Sequence, residues 1–134
     1  MPLRVALKRG VAAGLAALVL SACGHREGAG PRPRSFHTVK QMVAAMKMGG
    51  VTCTSLHASI DQIASDSGVC KLGGTTVTLD IYRSRADRDR ALQIAKGMVS
   101  SGAALVGPDW TLGTRSEMVA KRLRAVLGGV LQSL

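Results

Sequence analysis

Aromatic side chains are scarce in this sequence, which contains one Phe, one Tyr and one Trp among its 134 residues. The core of any folded part must therefore be built from Val, Leu, Ile, Met and Ala, and the length allows one domain. A domain of this size gains limited stability from burial alone and often needs a covalent cross-link.

Acidic residues are also few: eight Asp and Glu stand against eighteen Lys and Arg, so the formal net charge is +10. Residues 37–134 contain twelve basic and seven acidic side chains and account for +5 of that charge. A basic surface of this kind is compatible with binding to nucleic acid, anionic lipid or an acidic wall polymer. The simpler interpretation, which we prefer, is a charged surface that keeps the protein soluble.

The sequence has no hydrophobic run long enough to span a bilayer as a helix. Its longest uncharged apolar run, residues 11–20, has about ten residues, roughly half of what a membrane-spanning helix needs. The run follows Arg4, Lys8 and Arg9 and precedes the tetrapeptide Leu-Ser-Ala-Cys, which ends at Cys23. A positive segment, a short apolar segment and small residues in this order are typical of a secretory signal peptide.

This tetrapeptide resembles the lipobox of bacterial lipoproteins, in which a large aliphatic residue and two small residues precede a cysteine. The resemblance implies that diacylglycerol is attached to the Cys23 thiol, that cleavage follows Ala22 and that the mature chain begins at Cys23. We therefore predict a signal peptide over residues 1–22 and a protein anchored to the extracytoplasmic face of the cell membrane by two acyl chains. The alternative is an ordinary secretory signal with an incidental cysteine.

The segment that follows, residues 24–36, is rich in Gly, Pro and Arg and has no periodic apolar face. This composition predicts a flexible tether over residues 23–37. Its arginines, Arg26, Arg32 and Arg34, would lie beside lipid head groups, either as contacts to anionic lipid or as parts of a plain spacer.

Three cysteines are an odd number for an exported chain, in which an unpaired thiol is unusual. Lipidation of Cys23 leaves Cys53 and Cys70, and we predict a disulfide between them in an oxidising compartment. Such a bond contributes about 3 kcal/mol in the chain-entropy model. A metal site or a redox pair is less favoured, because the spacing is not Cys-x-x-Cys and only His57 lies nearby.

Residues 38–134 are predicted to form an α+β domain with about three helices. The first helix follows a cap at Thr38 and ends near residues 49–50, and the third follows a cap at Thr114. The second helix begins after Ser84. Its predicted buried stripe consists of Ala91, Ile94, Ala95 and Met98.

The clearest predicted strand covers residues 75–82, in which Val, Leu and Ile alternate with Thr, Asp and Tyr. Residues 51–72 are the least regular stretch. The expected architecture is a small, mainly antiparallel sheet with the helices packed on one face. Further strands are predicted at residues 103–106 and 110–112 as a hairpin and, with a weaker pattern, at 56–60. Residues 130–134 form either a last short strand or a frayed tail.

No set of side chains in the sequence indicates catalysis, and we predict no catalytic residue, metal ligand or cofactor. The histidines are isolated, and carboxylates such as Asp80 lack a partner suited to acid–base chemistry. Tyr82 and Trp110 are the candidate ligand contacts, although Trp110 is expected mainly as the largest core residue beside the hairpin turn. A pocket that holds titratable groups with shifted pKa values would instead favour an enzyme.

Three further motifs follow one another in the predicted domain: the early cysteine pair, Ser-x-Ala-Asp at residues 84–87 and Gly-x-x-Trp at residues 107–110, before a helix ending in Gly-Gly. In this order they resemble small lipoproteins of actinobacteria that have no assigned activity. The resemblance covers about residues 38–134 and implies a disulfide-containing α+β domain, without an activity.

The leading hypothesis is therefore a membrane-anchored, non-enzymatic lipoprotein of the cell envelope that acts as a binding or accessory module. Its expected partners are the membrane, through Cys23, and an envelope protein or an anionic polymer, with no nucleic acid. One alternative is a basic surface that binds anionic wall polymer or lipid head groups. A second alternative is a small extracytoplasmic enzyme.

Overall fold

The computed structural model of the protein describes residues 30–134, which form three helices and one six-stranded sheet. All five neighbouring strand pairs are antiparallel, in the order β1-β2-β3-β5-β4-β6 across the sheet. The predicted α+β class with an antiparallel sheet is confirmed. In chain order the elements are α1 (Val39–Met48), β1 (Thr54–Ala58), β2 (Asp66–Leu72), β3 (Thr75–Ile81), α2 (Arg85–Met98), β4 (Ala103–Val106), β5 (Trp110–Thr114), α3 (Glu117–Leu127) and β6 (Val130–Ser133).

One face of the sheet is covered by α1 and α3 and contains the main core. Alternate residues of β3 point to this face, where Val77, Leu79 and Ile81 are buried. Leu105 and Trp110 continue the apolar layer across β4 and β5. The helices complete the core with Met42, Met46, Leu123 and Leu127.

The second helix lies on the opposite face, so the expectation that all helices pack on one face is corrected. Leu92 of α2 forms a separate apolar cluster with Ala104 and Val106 of β4. Leu105, between those two residues, belongs to the main core. All four residues of β4 are buried, which makes this strand apolar on both sides and requires cover on each.

The apolar stripe of α2 also differs from the prediction. The structure buries Leu92, whereas Ile94 is 48% exposed and Met98 is 81% exposed. The side chains that face the sheet are Ala91, Leu92 and Ala95, because Leu92 is the one that fits against Ala104 and Val106.

The helix caps at Thr38 and Ser84 are confirmed, since their hydroxyls accept hydrogen bonds from the amides of Gln41 and Asp87. The predicted cap of α3 at Thr114 is wrong: the cap is Ser116, whose Oγ accepts from the Val119 amide at 3.2 Å. Thr114 is the last residue of β5 and pairs with strands on both sides, so the chain leaves the sheet only after it.

A long strand, β2, runs through the stretch that was expected to be irregular. It pairs with β1 on one side and with β3 on the other. The strand expected near residues 56–60 is observed as β1, at the edge of the sheet, and of the two alternatives for residues 130–134 the strand is observed, as β6. The pairing of β1 with β2 shifts register between Thr54 and His57, where Ser55 has a φ of 54°.

Cys53 and Cys70 form a disulfide with a Cα–Cα distance of 5.6 Å, which confirms the predicted pairing. Cys70 is fully buried in β2, and Cys53 lies just before β1. The bond therefore fastens the segment that leads into the exposed edge strand to the core. It indicates an oxidising, extracytoplasmic environment.

Residues 30–37, which we call the strap, lie against the domain, so the packed chain begins before the predicted boundary at residue 38. Phe36 is 6% exposed, and its ring centroid is 6.0 Å from that of Trp110. The Trp110 indole donates to the Arg34 carbonyl at 2.8 Å. The burial of one of the chain's three aromatic side chains gives this segment, assigned to the tether, a fixed position.

The remaining predicted features of the N-terminal segment lie outside the described residues. These are the signal peptide over residues 1–22, cleavage between Ala22 and Cys23, lipidation of Cys23, and the tether up to residue 29. None of the helices within residues 30–134 is long and apolar enough to cross a membrane.

Candidate functional site

A cavity of about 730 Å³ lies between α2 and the sheet, on the face opposite the main core. We call it the α2 cavity. Its helix side is formed by small and apolar residues, among them Ala91, Leu92, Ala95 and Val99. Its sheet side carries hydroxyl and carboxyl groups because the polar positions of β3 point toward it. These sheet residues include Thr76, Thr78, Asp80 and Thr111.

The cavity exists because the facing surfaces have little side-chain volume. Ala91 and Ala95 place only methyl groups toward the sheet, and Leu92 is the one buried residue of α2. On β5, Gly113 has no side chain, and a Cβ there would lie 2.7 Å from Thr78 Oγ1. The helix therefore rests on Leu92 and leaves space on the side where β3 and β5 run.

Arg88 fixes the first half of α2 to the turn between β4 and β5. Its guanidinium donates to the carbonyls of Gly107 at 2.6 Å and Pro108 at 3.0 Å, and it pairs with Asp89 at 2.6 Å. The C-terminal half carries exposed apolar side chains at Ile94 and Met98. This helix is thus held at its start and at Leu92, with its later turns beside the cavity.

Tyr82 directly follows β3, where it is 5% exposed and lines the cavity. Its hydroxyl is 3.1 Å from Thr111 Oγ1. Burial raises the pKa of Tyr82 to about 12, so the phenol stays protonated and serves as a hydrogen-bonding group. Tyr82, one of the two predicted ligand contacts, is therefore placed in the cavity wall.

Asp80 is the titratable group most affected by this environment. Its Oδ1 accepts a hydrogen bond from Ser67 Oγ at 2.5 Å. The pKa of Asp80 is raised from 3.8 to about 6, mainly by burial and also by the negative charge of Asp61, against the opposing effect of the Ser67 hydrogen bond. The ion pairs found within residues 30–134 involve other carboxylates, so Asp80 has no cationic partner there.

The rim of the cavity carries two exposed charged residues, Asp61 and Arg115. Asp61 Oδ1 accepts from the amides of Ile63 at 2.7 Å and Ala64 at 2.8 Å, which orders the loop between β1 and β2. This loop therefore places a second carboxylate at the cavity that contains Asp80.

Trp110, the other predicted ligand contact, lies on the opposite side of the sheet. It is fully buried in the main core, and its indole N–H is used by Arg34. A ligand has no access to it, in agreement with the interpretation of Trp110 as a core residue.

Neither described histidine belongs to the cavity. His57 lies on the exposed edge strand, with Nδ1 3.0 Å from the Ser55 carbonyl, and His37 is exposed before α1. In the part of the chain that the structure describes, no group of three or more His, Cys, Asp and Glu side chains is placed to hold a metal ion.

No family model, curated protein or solved structure matches this chain. Of the features implied by the resemblance to actinobacterial lipoproteins, the disulfide and the small α+β domain are present in the structure.

Asp80, Ser67 and Thr111 were not among the site residues predicted from the sequence. In the predicted strand Asp80 belongs to the polar residues that alternate with Val, Leu and Ile, and such residues face solvent only if that face of the sheet is uncovered. The signal that could have corrected this is β4, whose Ala-Ala-Leu-Val sequence has no polar side. A strand of that kind indicates cover on both faces of the sheet.

Proposed function

We propose that the mature protein is a lipid-anchored, extracytoplasmic binding protein that holds a small molecule in the α2 cavity. The observation that carries this proposal is the cavity itself. Its volume of about 730 Å³ falls within the range of roughly 300–1,000 Å³ typical of small-molecule sites. Its wall combines an apolar surface with a few polar groups, which is the composition such sites use for affinity and orientation.

The anchor in this proposal is Cys23. Its support is the order of charged, apolar and small residues before it, together with the disulfide, which requires an oxidising compartment. Two acyl chains on one cysteine give stable membrane attachment.

A test of the anchor is metabolic labelling with a radioactive fatty acid. The chain with Cys23 should be labelled and should partition with membranes, whereas Cys23→Ala should abolish both. A Cys23→Ser chain, which keeps the size and polarity of the side chain, should behave like Cys23→Ala. Label retained in either variant would contradict the proposal.

A small extracytoplasmic acid–base enzyme is the second candidate, and Asp80 is the observation that favours it. A carboxyl group with a pKa near 6 in a cavity is suited to proton transfer at neutral pH. Binding is preferred because the nearby hydroxyl groups of Ser67 and Tyr82 are engaged with Asp80 and Thr111, and the described histidines lie elsewhere.

Ligand binding by the cavity is tested with residues 24–134, which contain every element that the structure describes. The probe is N-phenyl-1-naphthylamine, a neutral dye whose fluorescence increases in an apolar site. Ala95→Leu adds volume to the cavity wall and should abolish the fluorescence increase. Ala125→Leu, at an exposed position of α3, makes the same change outside the cavity and should leave the increase intact.

Thermal unfolding of both variants shows whether they are folded. Absence of dye binding by the unaltered domain, or equal binding by a folded Ala95→Leu variant, would contradict the proposed function.

A further inference from the structure

The charge at the α2 cavity is opposite to that of the protein as a whole. The chain has a net charge of +10, yet the charged residues that line the cavity are two carboxylates, Asp61 and Asp80, and one cation, Arg115. With both carboxylates ionised, the lining carries one net negative charge. Two of the eight acidic residues of this basic protein line the cavity, and their charge disfavours an anion at that position.

Asp80 has capacity for a ligand donor. A carboxylate offers two oxygens with about four lone-pair sites. The Ser67 hydroxyl uses Oδ1, which leaves Oδ2 for a donor that enters the cavity. Because burial disfavours the ionised form, a cationic partner at Asp80 would offset the cost of ionisation.

The wall of the cavity opposite Asp80 is apolar and favours contact with a hydrocarbon group of a ligand. Ala91, Leu92 and Ala95 of α2 present methyl and isobutyl groups, and Ala104 and Leu134 extend this surface. None of these side chains offers a hydrogen bond, so a polar body placed against them would lose its contacts with water without replacement.

We infer that the α2 cavity binds a small amphiphile with a single protonated amine, whose ammonium group contacts Asp80 and whose apolar body lies against α2. This inference rests on the proposed function, in which the cavity holds a small molecule. Tyr82 and Thr111 lie beside Asp80 on the same sheet surface and supply hydroxyl oxygens for the remaining ammonium protons.

The experiment compares three probes with the same eight-carbon body: octylamine, 1-octanol and octanoate. Binding to residues 24–134 is followed by isothermal titration calorimetry and by amide shifts in NMR spectra at about pH 7.5, where Asp80 is ionised. Octylamine should bind at least about tenfold more tightly than 1-octanol, which corresponds to about 1.4 kcal/mol. Octanoate should bind most weakly, and the shifted amides should lie in β3, β5 and α2.

The matched variants are Asp80→Asn and Glu117→Gln. Asp80→Asn keeps the shape and the Ser67 hydrogen bond but removes the charge, and should lower octylamine affinity by about tenfold while leaving 1-octanol unchanged. Glu117 is exposed on α3 and pairs with Lys121, so Glu117→Gln removes a charge outside the cavity and should change neither affinity.

Measuring octylamine affinity at a series of pH values tests the role of the Asp80 charge without a substitution. The titratable groups that face Asp80 are Asp61 and Tyr82, and Arg115 completes the charged lining. The residues of α2 that line the cavity are not titratable, because its charged side chains lie outside the lining. Octylamine affinity should therefore fall as the pH drops through about 6, where Asp80 takes up a proton, while 1-octanol affinity stays constant.

The outcomes separate this inference from the proposed function. If 1-octanol or octanoate binds the cavity as tightly as octylamine, the amine class is wrong and ligand binding stands. If none of the three probes nor the naphthylamine dye binds, both proposals are wrong. Equal octylamine affinity in Asp80→Asn, or an affinity that does not change with pH, also overturns the amine inference.

Discussion

The two faces of the sheet are filled in different ways. Under α1 and α3, large side chains such as Met42, Leu105 and Trp110 are fully buried. Under α2, the helix contributes one buried side chain, Leu92, and a cavity occupies the remaining space. The same six strands thus serve as the floor of a close-packed core and as the wall of a site. Concentrating the packing on one face allows the other to keep unfilled volume and a half-buried carboxyl group.

A Leu→Ala substitution on each face of the sheet is the strongest test of this difference in packing. Leu105→Ala should lower the free energy of unfolding by about 3–4 kcal/mol, because it leaves a void in a close-packed core. Leu92→Ala should lower it by about 1–2 kcal/mol, because Leu92 already borders open space and its removal creates no dry void. Urea denaturation of both variants measures the difference. Equal losses would mean that the α2 face is as well packed as the main core.

Loss of the disulfide should affect the filled face and leave the cavity unchanged. The bond joins Cys70 in the main core to Cys53, at a sequence separation of 17. The double variant Cys53→Ala, Cys70→Ala should lose about 3 kcal/mol of unfolding free energy. Binding of the naphthylamine dye under native conditions should be unaltered, since neither cysteine lines the cavity. A double variant that keeps its stability but loses dye binding would contradict the prediction that the disulfide stabilises the main core and does not affect the cavity.

The third effect concerns Asp80 and depends on pH. Its pKa is about 6 in the fold against 3.8 ordinarily, so between these values the folded state binds more protons than the unfolded state. The contribution of Asp80 to stability should therefore decrease as the pH rises from about 4 to about 6 and remain at the lower level above it. Asp80→Asn should remove this loss and stabilise the protein at neutral pH by on the order of 2 kcal/mol, allowing for partial solvation.

Urea denaturation at about pH 4 and about pH 7 measures this difference. Glu117→Gln, the exposed control, should show no comparable gain at neutral pH. An Asp80→Asn variant that is less stable than the unaltered protein at neutral pH would mean that the ionised carboxylate stabilises the fold.

The features that sequence analysis predicted are those set by short-range chemistry. The alternation of β3, the caps at Thr38 and Ser84, and the disulfide each depend on a few residues with a strong preference. The strand β2 was not predicted, because it opens with Asp66, Ser67 and Gly68, which have little tendency to form strands. Pairing with strands on both sides, rather than local preference, makes this segment extended.

Most of the candidate site could not be predicted from the sequence, for a related reason. Tyr82 was predicted as a ligand contact. Asp80 becomes a site residue only because α2 covers its side of the sheet. Whether α2 turns Leu92 or the pair Ile94 and Met98 toward the sheet is decided by the shape of β4 beneath it. The periodicity of the sequence does not show which side of α2 faces the sheet, because Leu92 and the pair Ile94 and Met98 each fit an apolar stripe.

The strap and the proposed lipid anchor together limit where the domain can lie relative to a bilayer. Gly30 and Pro31 are in close contact with the end of α3, at Arg124 and Gly128, so the chain enters the domain at a fixed point. With the lipid on Cys23, as proposed, seven residue steps separate the anchor from Gly30, a span of at most about 25 Å. The protein would then work within a thin zone next to the membrane, with the end that carries Arg32 and Arg85 nearest the lipid surface.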